Sequence, residues 1–296
     1  MSNDGSSSQL SCWIYQACLV EVLSEKPGNV SPRHRFRDST VNDFIRSAQV
    51  SAPILARSTS CNVGRTIYDA AVATRHSAGH NTNLGILLLL APMAAVPAAV
   101  SVSEGIDGIL AGLTVEDADW AYRAIRLAQP GGLGQSAAQD VHEPPSETLL
   151  QCMERAADRD LIALQYSNGF HEVLGVGLEL LIDSFSCVDD QYRIGWLALK
   201  LIAEYGDSLI ARKVGQSVAA DVQQRASAVI GAGWPDTAGS CQMYNELDTY
   251  LRSNGNQLNP GTTADMIAAI IYAGLQSRCY SIPAELLHQI NFEEQM

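Results

Sequence analysis

Apolar residues recur at helical spacing along nearly the whole chain. In residues 9–23 Trp13, Ala17, Val20 and Leu23 share one face, and residues 41–55 repeat the pattern with Phe44, Ala48 and Leu55. The spacing predicts helices there and over 64–78, then a helix behind Thr114 as N-cap that stops at Pro130-Gly131, and one over 146–170. Two long stretches, 171–185 and 191–230, and a last helix over 262–277 complete the series. Strand-like alternation is nearly absent. The pattern therefore predicts an all-α fold, a single large helical domain over 10–296 with a buried central helix layer, preceded by a polar, disordered segment over 1–9. The run from Leu84 to Val102 approaches membrane-spanning length. Pro92 and Pro97 divide it and no Lys or Arg flanks it closely, so it reads as a core helix and no membrane association is expected. The polar loop over 131–147 reads as a lid or a hinge.

Composition narrows the function. Hydrophobic residues make up 47% of the 296 positions and charged residues 17%, which leaves ample apolar surface for a core. A net charge of -13 excludes a general grip on nucleic acid, so a polyanionic partner would need cations gathered locally. The seven cysteines are scattered and form no C-x-x-C pair. That usage fits buried thiols in a reducing, cytoplasmic compartment better than disulfides or a zinc site, and no signal peptide is evident at the start.

Polar motifs sit in breaks beside very apolar segments. Glu21 precedes the turn Lys26-Pro27-Gly28, which opens a loop rich in scarce cations: Arg33, Arg35 and Arg37. Asn81-Thr82-Asn83-Leu84-Gly85 leads into the leucine-rich run, and Asn259-Pro260-Gly261-Thr262-Thr263-Ala264-Asp265 opens the last helix. Such polar residues cap helices, and a helix N-terminus also seats phosphate. Gly206-Asp207-Ser208, with Arg212 and Lys213 beyond it, is costly inside a helix and marks a local break or a functional demand. His76 and His80 are four apart, but Gly79 argues that their helix has ended, which disfavours a shared metal. The glycine-rich stretch 131–136 lacks the G-K-[ST] ending of a phosphate loop.

In this order the motifs resemble the triphosphoribosyl-dephospho-CoA synthase family, in a divergent branch. The resemblance rests on Glu21, Lys26-Pro27-Gly28, Asp38, Phe44 with Ser47, Asn81-Thr82 with Gly85, Asp207 with Arg212, and Pro260-Gly261 with Ala264-Asp265. It departs at Asn83-Leu84, where the family carries His-Lys, and at Thr262-Thr263, where it carries Gly-Ser. The resemblance implies an all-helical transferase that joins ATP to 3′-dephospho-CoA and releases adenine. It implies catalytic roles for Glu21, Asp38 and Asp207, and nucleotide contacts from Lys26, Gly28, Asn81, Thr82, Arg212, Thr262 and Asp265. Asp207 and Asp265 would hold Mg²⁺ beside the triphosphate. On this reading Lys26 and the nearby arginines form a phosphate clamp; the alternative is that the arginines make surface ion pairs. A related transferase with another acceptor, and a non-catalytic nucleotide- or partner-binding protein, remain as alternatives.

Overall fold

The computed structural model describes residues 3–132 and 139–293. Among these it contains sixteen α-helices and no strand, with one isolated bridge between Ser31 and His34. The first six helices are α1 (Asn3–Leu23), α2 (Val41–Leu55), α3 (Val63–Ala78), α4 (Leu84–Ala95), α5 (Val102–Ala111) and α6 (Val115–Ala128). Then come α7 (Leu149–Glu154), α8 (Leu161–Ser167), α9 (Leu178–Cys187, entered through a π-helical turn, Glu172–Gly177), α10 (Arg193–Tyr205) and α11 (Ser208–Val214). The last are α12 (Gln216–Gly231), α13 (Ala238–Leu251), the single turn α14 (Ser253–Asn256), α15 (Gly261–Gln276) and α16 (Ala284–Glu293). The middle of the loop read as a lid or hinge, 133–138, lies outside the described residues, as do residues 1 and 2.

Several elements depart from the periodicity. Helix α1 starts at Asn3, inside the segment read as disordered, because no proline intervenes before Leu23 to stop it. The stretch over 146–170 is two helices, because Asp160 turns its carboxylate onto the amides of Ile162 and Ala163 and restarts the helix. The stretch over 191–230 is three, broken at Gly206 (φ 70°) and Gly215 (φ 98°). Left-handed Gly79 ends α3 before His80, so His76 and His80 do not share a helix face.

Helices α4 and α15 form the heart of the molecule. Every residue of α4 is buried, as a helix that is apolar all round requires, and α15 is buried continuously from Met266 to Leu275. These two pack on each other, α1 packs along α15, and α2, α3 and α6 cover one side. A second cluster, built on Trp196, Leu199, Val222, Trp234 and Leu251, unites α10, α12 and α13. Pro92 inside α4 has no N–H to give to the carbonyl of Leu88, and the buried hydroxyl of Tyr166 on α8 donates to that oxygen instead, at 2.6 Å. A proline that looked like a helix stop is thus a point of attachment. No helix among the described residues is long and apolar enough to cross a membrane.

Two distant turns lock together beside this core. The Gly28 amide donates to Asp248 at 2.8 Å, and the Asn29 side chain donates to the Pro260 carbonyl at 3.0 Å. Gly28 has φ 72°, and a β-carbon there would lie 2.6 Å from Leu251 Cβ and 2.9 Å from Pro260 Cδ. Gly79 is also left-handed, at φ 80°, but nothing lies within 4 Å of a β-carbon built on it. Gly79→Ala should therefore cost only the left-handed strain, about 1–2 kcal/mol. Gly28→Ala should cost a further 1–3 kcal/mol or so from overpacking. Urea unfolding of the two variants side by side checks the difference, and equal losses would reject it.

Candidate active site

One cavity of about 960 Å³ opens where the N-terminal ends of α4, α8, α11 and α15 meet. Leu84 to Ile86, Asp160, Ile162, Ala163, Leu209, Ala211 to Lys213, and Gly261, Thr262, Ala264 and Asp265 all contribute to its wall. The loop after α1 adds Phe36, Asp38 and Ser39, and the C-terminal turn of α6 adds Gln129 to Gly132.

Asp265 forms the floor. Its carboxylate lies so close to Gly85 that a β-carbon there would sit 2.0 Å from Oδ2, which explains the glycine of the Asn81–Gly85 motif. The Ile86 amide, in the first turn of α4, donates to the same carboxylate. Desolvation, then the nearby negative charges of Glu21, Asp207 and Asp160, push the Asp265 carboxyl well above its ordinary range. Glu21, 4% exposed on α1, also reaches the cavity, and burial raises it against the opposing pull of Lys26.

Lys26 is not on the wall. It is 1% exposed, with its ammonium 2.9 Å from the Glu21 carboxylate and donating to the carbonyls of Glu21, Ser24 and Val30 at 2.5, 3.3 and 3.3 Å. An ammonium has three protons, and these acceptors use them all. The lysine expected to clamp phosphate therefore ties the Lys-Pro-Gly turn to the end of α1 and braces Glu21. Arg33, Arg35 and Arg37 are exposed and do not line the cavity. Gly28 does not line it either and serves the turn contact already described.

Asp207 is displaced from its expected role as well. It is 2% exposed, and its Oδ1 accepts from the amides of Leu209 (3.0 Å) and Ile210 (3.1 Å). Oδ2 accepts from the amide and hydroxyl of Thr263, both at 2.8 Å. Burial still raises its pKa despite those four donors. The carboxylate joins the first turns of α11 and α15, and its occupied oxygens do not fit a metal ligand. Thr262 Oγ1 accepts from the Leu209 amide at 3.2 Å and shares a proton with Ser208 Oγ at 3.1 Å, extending the same seam.

The second motif divides its labour. Asn81 caps α4 by accepting from the Leu84 amide at 3.1 Å, and the Thr82 hydroxyl donates to Ser47 at 2.7 Å. Ser47 thereby explains the serine after Phe44: it holds the turn against α2. Asn81 and Thr82 both line the cavity, and Asp38 stands exposed at its edge. Arg212 lines it too, donating to Asp160 at 2.9 Å and to the Gly131 carbonyl at 3.1 Å.

The structure thus gathers Glu21, Asp38, Asn81, Thr82, Arg212, Thr262 and Asp265 around one space and puts Lys26, Gly28 and Asp207 behind its wall. The sequence reading omitted Asp160 and Lys213. Asp160 carried a visible signal, since Asp160-Leu-Ile-Ala echoes Asp207-Ser-Leu-Ile-Ala, and both aspartates cap the helix that follows. Among the described residues no group of three or more His, Cys, Asp or Glu side chains is placed to hold a metal ion.

The electrostatics of Asp265 predict how stability varies with pH. Its folded pKa lies above its unfolded value, so its stabilising contribution is complete below the ordinary 3.8 and is lost as pH rises through the folded value. Asp265→Asn, which keeps an oxygen for the Ile86 amide, should melt higher than the parent at neutral pH. The gain should shrink toward zero near pH 4. Thermal melts from pH 4 to 8 check this, and a variant less stable at neutral pH would contradict it.

Comparison with known proteins bears on the fold and the family. No curated protein matches the chain. A crystal structure assigned as a triphosphoribosyl-dephospho-CoA synthase, from Archaeoglobus fulgidus, superposes with a TM-score of 0.61 over 77% of this chain and 96% of that one, at 21% identity. That likeness establishes the shared fold. The family model CitG, ATP:dephospho-CoA triphosphoribosyl transferase, matches residues 7–282, nearly the full length. The chain belongs to the ATP:dephospho-CoA triphosphoribosyl transferase family and is a transferase of that family.

Proposed function

We propose that the cavity binds ATP and dephospho-CoA together, with the triphosphate along the Arg212 wall and the ribose over Glu21 and Asp265. The observation that carries this is the opposition of two carboxyl groups at the floor to cations in the last turn of α11, around the N-terminal turn of α15. That turn offers an anion the favourable end of the α15 dipole, while its Thr263 amide is already given to Asp207. The volume lies at the upper end of ordinary ligand pockets, about 300–1,000 Å³, and so has room for more than one small ligand.

In the reaction the acceptor 2′-hydroxyl oxygen bonds to C1′ of the ribose as the C1′–N9 bond breaks. The bonding pair leaves with adenine, which takes up a proton. Positive charge grows at C1′, and a carboxylate beneath the ribose stabilises it. Glu21 takes the hydroxyl proton; its raised pKa makes it a better base near neutral pH than an ordinary glutamate. Asp265 fits Mg²⁺ as a single protein carboxylate, with phosphate oxygens and water as the other ligands, and the crowding of negative charge around it favours a cation. The ion would neutralise the phosphate chain. We place the reaction in the cytoplasm, where the free cysteines stay reduced.

Leu84 supports a second reading for the acceptor alone. It lines the cavity at 7% exposure where the family carries a lysine, so one cation for an anionic acceptor is missing. Incubation with ATP, Mg²⁺ and dephospho-CoA, followed by mass analysis, should yield free adenine and the triphosphoribosyl adduct. Adenine formed only with another hydroxyl acceptor would favour the second reading. Nucleotide that does not bind to folded protein would reject both.

Lys26 separates bracing from phosphate binding. Lys26→Met leaves Glu21 buried without its counter-charge, which raises its pKa further and destabilises the fold by about 3–5 kcal/mol. The acid limb of the pH–rate profile should move to higher pH, while the salt dependence of ATP affinity stays as in the parent. A weaker salt dependence would return Lys26 to the phosphate clamp.

A further inference from the structure

The cations of the cavity are not equivalent. Arg75 stands exposed on the last turn of α3, Arg155 pairs with Glu147, Arg159 with Asp158 at 3.0 Å, and Arg212 with Asp160 at 2.9 Å. Lys213 has no carboxylate partner among the described residues. Its ammonium donates to the neutral Asn259 side chain at 2.8 Å, which uses one of three protons. The side chain is held in place from both sides. Asn259 belongs to the turn that opens α15, and on the other side Gly131 packs so closely that a β-carbon would meet Lys213 Cε at 3.0 Å. Gly132, left-handed at φ 73°, brings that same turn against the Arg212 backbone, where a β-carbon would meet the carbonyl oxygen at 2.9 Å. The turn after α6 therefore clasps the Arg212-Lys213 pair, with Lys213 held to the turn that opens α15 and Arg212 to Asp160.

We propose that Lys213 anchors the polyphosphate of the nucleoside triphosphate, its two remaining ammonium protons going to phosphate oxygens between Arg212 and the N-terminus of α15. This rests on the reading of the cavity as a nucleotide site and names the residue that does there what Lys26 cannot. A half-buried ammonium without a carboxylate partner is unfavourable alone and is relieved by a polyanion. Burial and the neighbouring Arg212 depress its pKa, against the opposing charges of Asp207 from the start of α11 and Asp38 from the loop after α1. The other groups packed on it, Asn259 and Gly131, carry no charge. Lys213 thus loses its proton at a lower pH than the ordinary lysine value of 10.5, and polyphosphate affinity falls with it as pH rises.

The test is calorimetric titration of parent, Lys213→Met and Lys213→Arg proteins with Mg-ATP and with inorganic tripolyphosphate, from pH 7 to 10, with thermal melts to confirm folding. Lys213→Met should weaken both ligands by roughly ten- to a hundredfold. Lys213→Arg should restore most of the affinity and abolish its decline at alkaline pH, because a guanidinium does not titrate there. Tripolyphosphate affinity unchanged in folded Lys213→Met, with ATP still bound by the parent, overturns the anchor and leaves the nucleotide site standing. Parent protein that binds neither ligand overturns both. Should Lys213→Met fail to fold, Lys213→Gln, which keeps a donor for Asn259, takes its place, and unchanged tripolyphosphate affinity in that variant rejects the proposal.

Discussion

A carboxyl group packed into the space of a missing β-carbon sets the geometry of this protein. Asp265 can lie against the first turn of α4 only because residue 85 is glycine. That contact brings the N-terminal ends of the two most buried helices together beside one space. The arrangement places a partly desolvated carboxylate among others of the same sign, which costs stability in the empty protein. A cation bound there would offset that cost, so the strain is greatest at the floor of the proposed site.

The surrounding polar contacts maintain this approach. Asp207 joins α11 to α15 through four donors, and Asp160 restarts α8 while holding Arg212. Ser47 secures the turn before α4, and Tyr166 fastens α8 to the carbonyl that Pro92 leaves without a partner. Each is a buried polar group with its partner supplied, as the low-dielectric interior demands. Mobility in any of them would loosen the floor of the cavity, which depends on ångström-scale placement.

Charge is distributed according to depth. The chain is strongly acidic, and its buried carboxylates stay tolerable because each has donors or a cation nearby. Lys26 spends its charge on Glu21, and Arg155, Arg159 and Arg212 on their own acids. The exposed arginines after Pro32 stand in water, where pairing contributes little. Among the described residues Lys213 alone combines partial burial, a place on the cavity wall and a neutral partner. It is this combination, rather than the local density of cations, that singles it out as the proposed anchor.

Helical periodicity, the capping residues and the absence of strand patterns determined the all-α fold, and the boundaries of α2 follow directly from the spacing. The short polar motifs also determined which turns reach the cavity, because apolar flanks leave a polar turn few places to lie. Tertiary structure alone decided which residue of each motif lines it. Lys26 and Lys213 are both lysines beside glycine-containing turns; one folds inward onto a glutamate and the other is left at the cavity. Asp207 and Asp265 differ in the donors that reach them: Asp207 takes two amides of its own helix and both donors of Thr263, fifty-six positions away, whereas Asp265 takes the Ile86 amide from the start of α4. Sequence spacing describes one helix at a time, whereas a side chain's free valence depends on what packs against it from elsewhere.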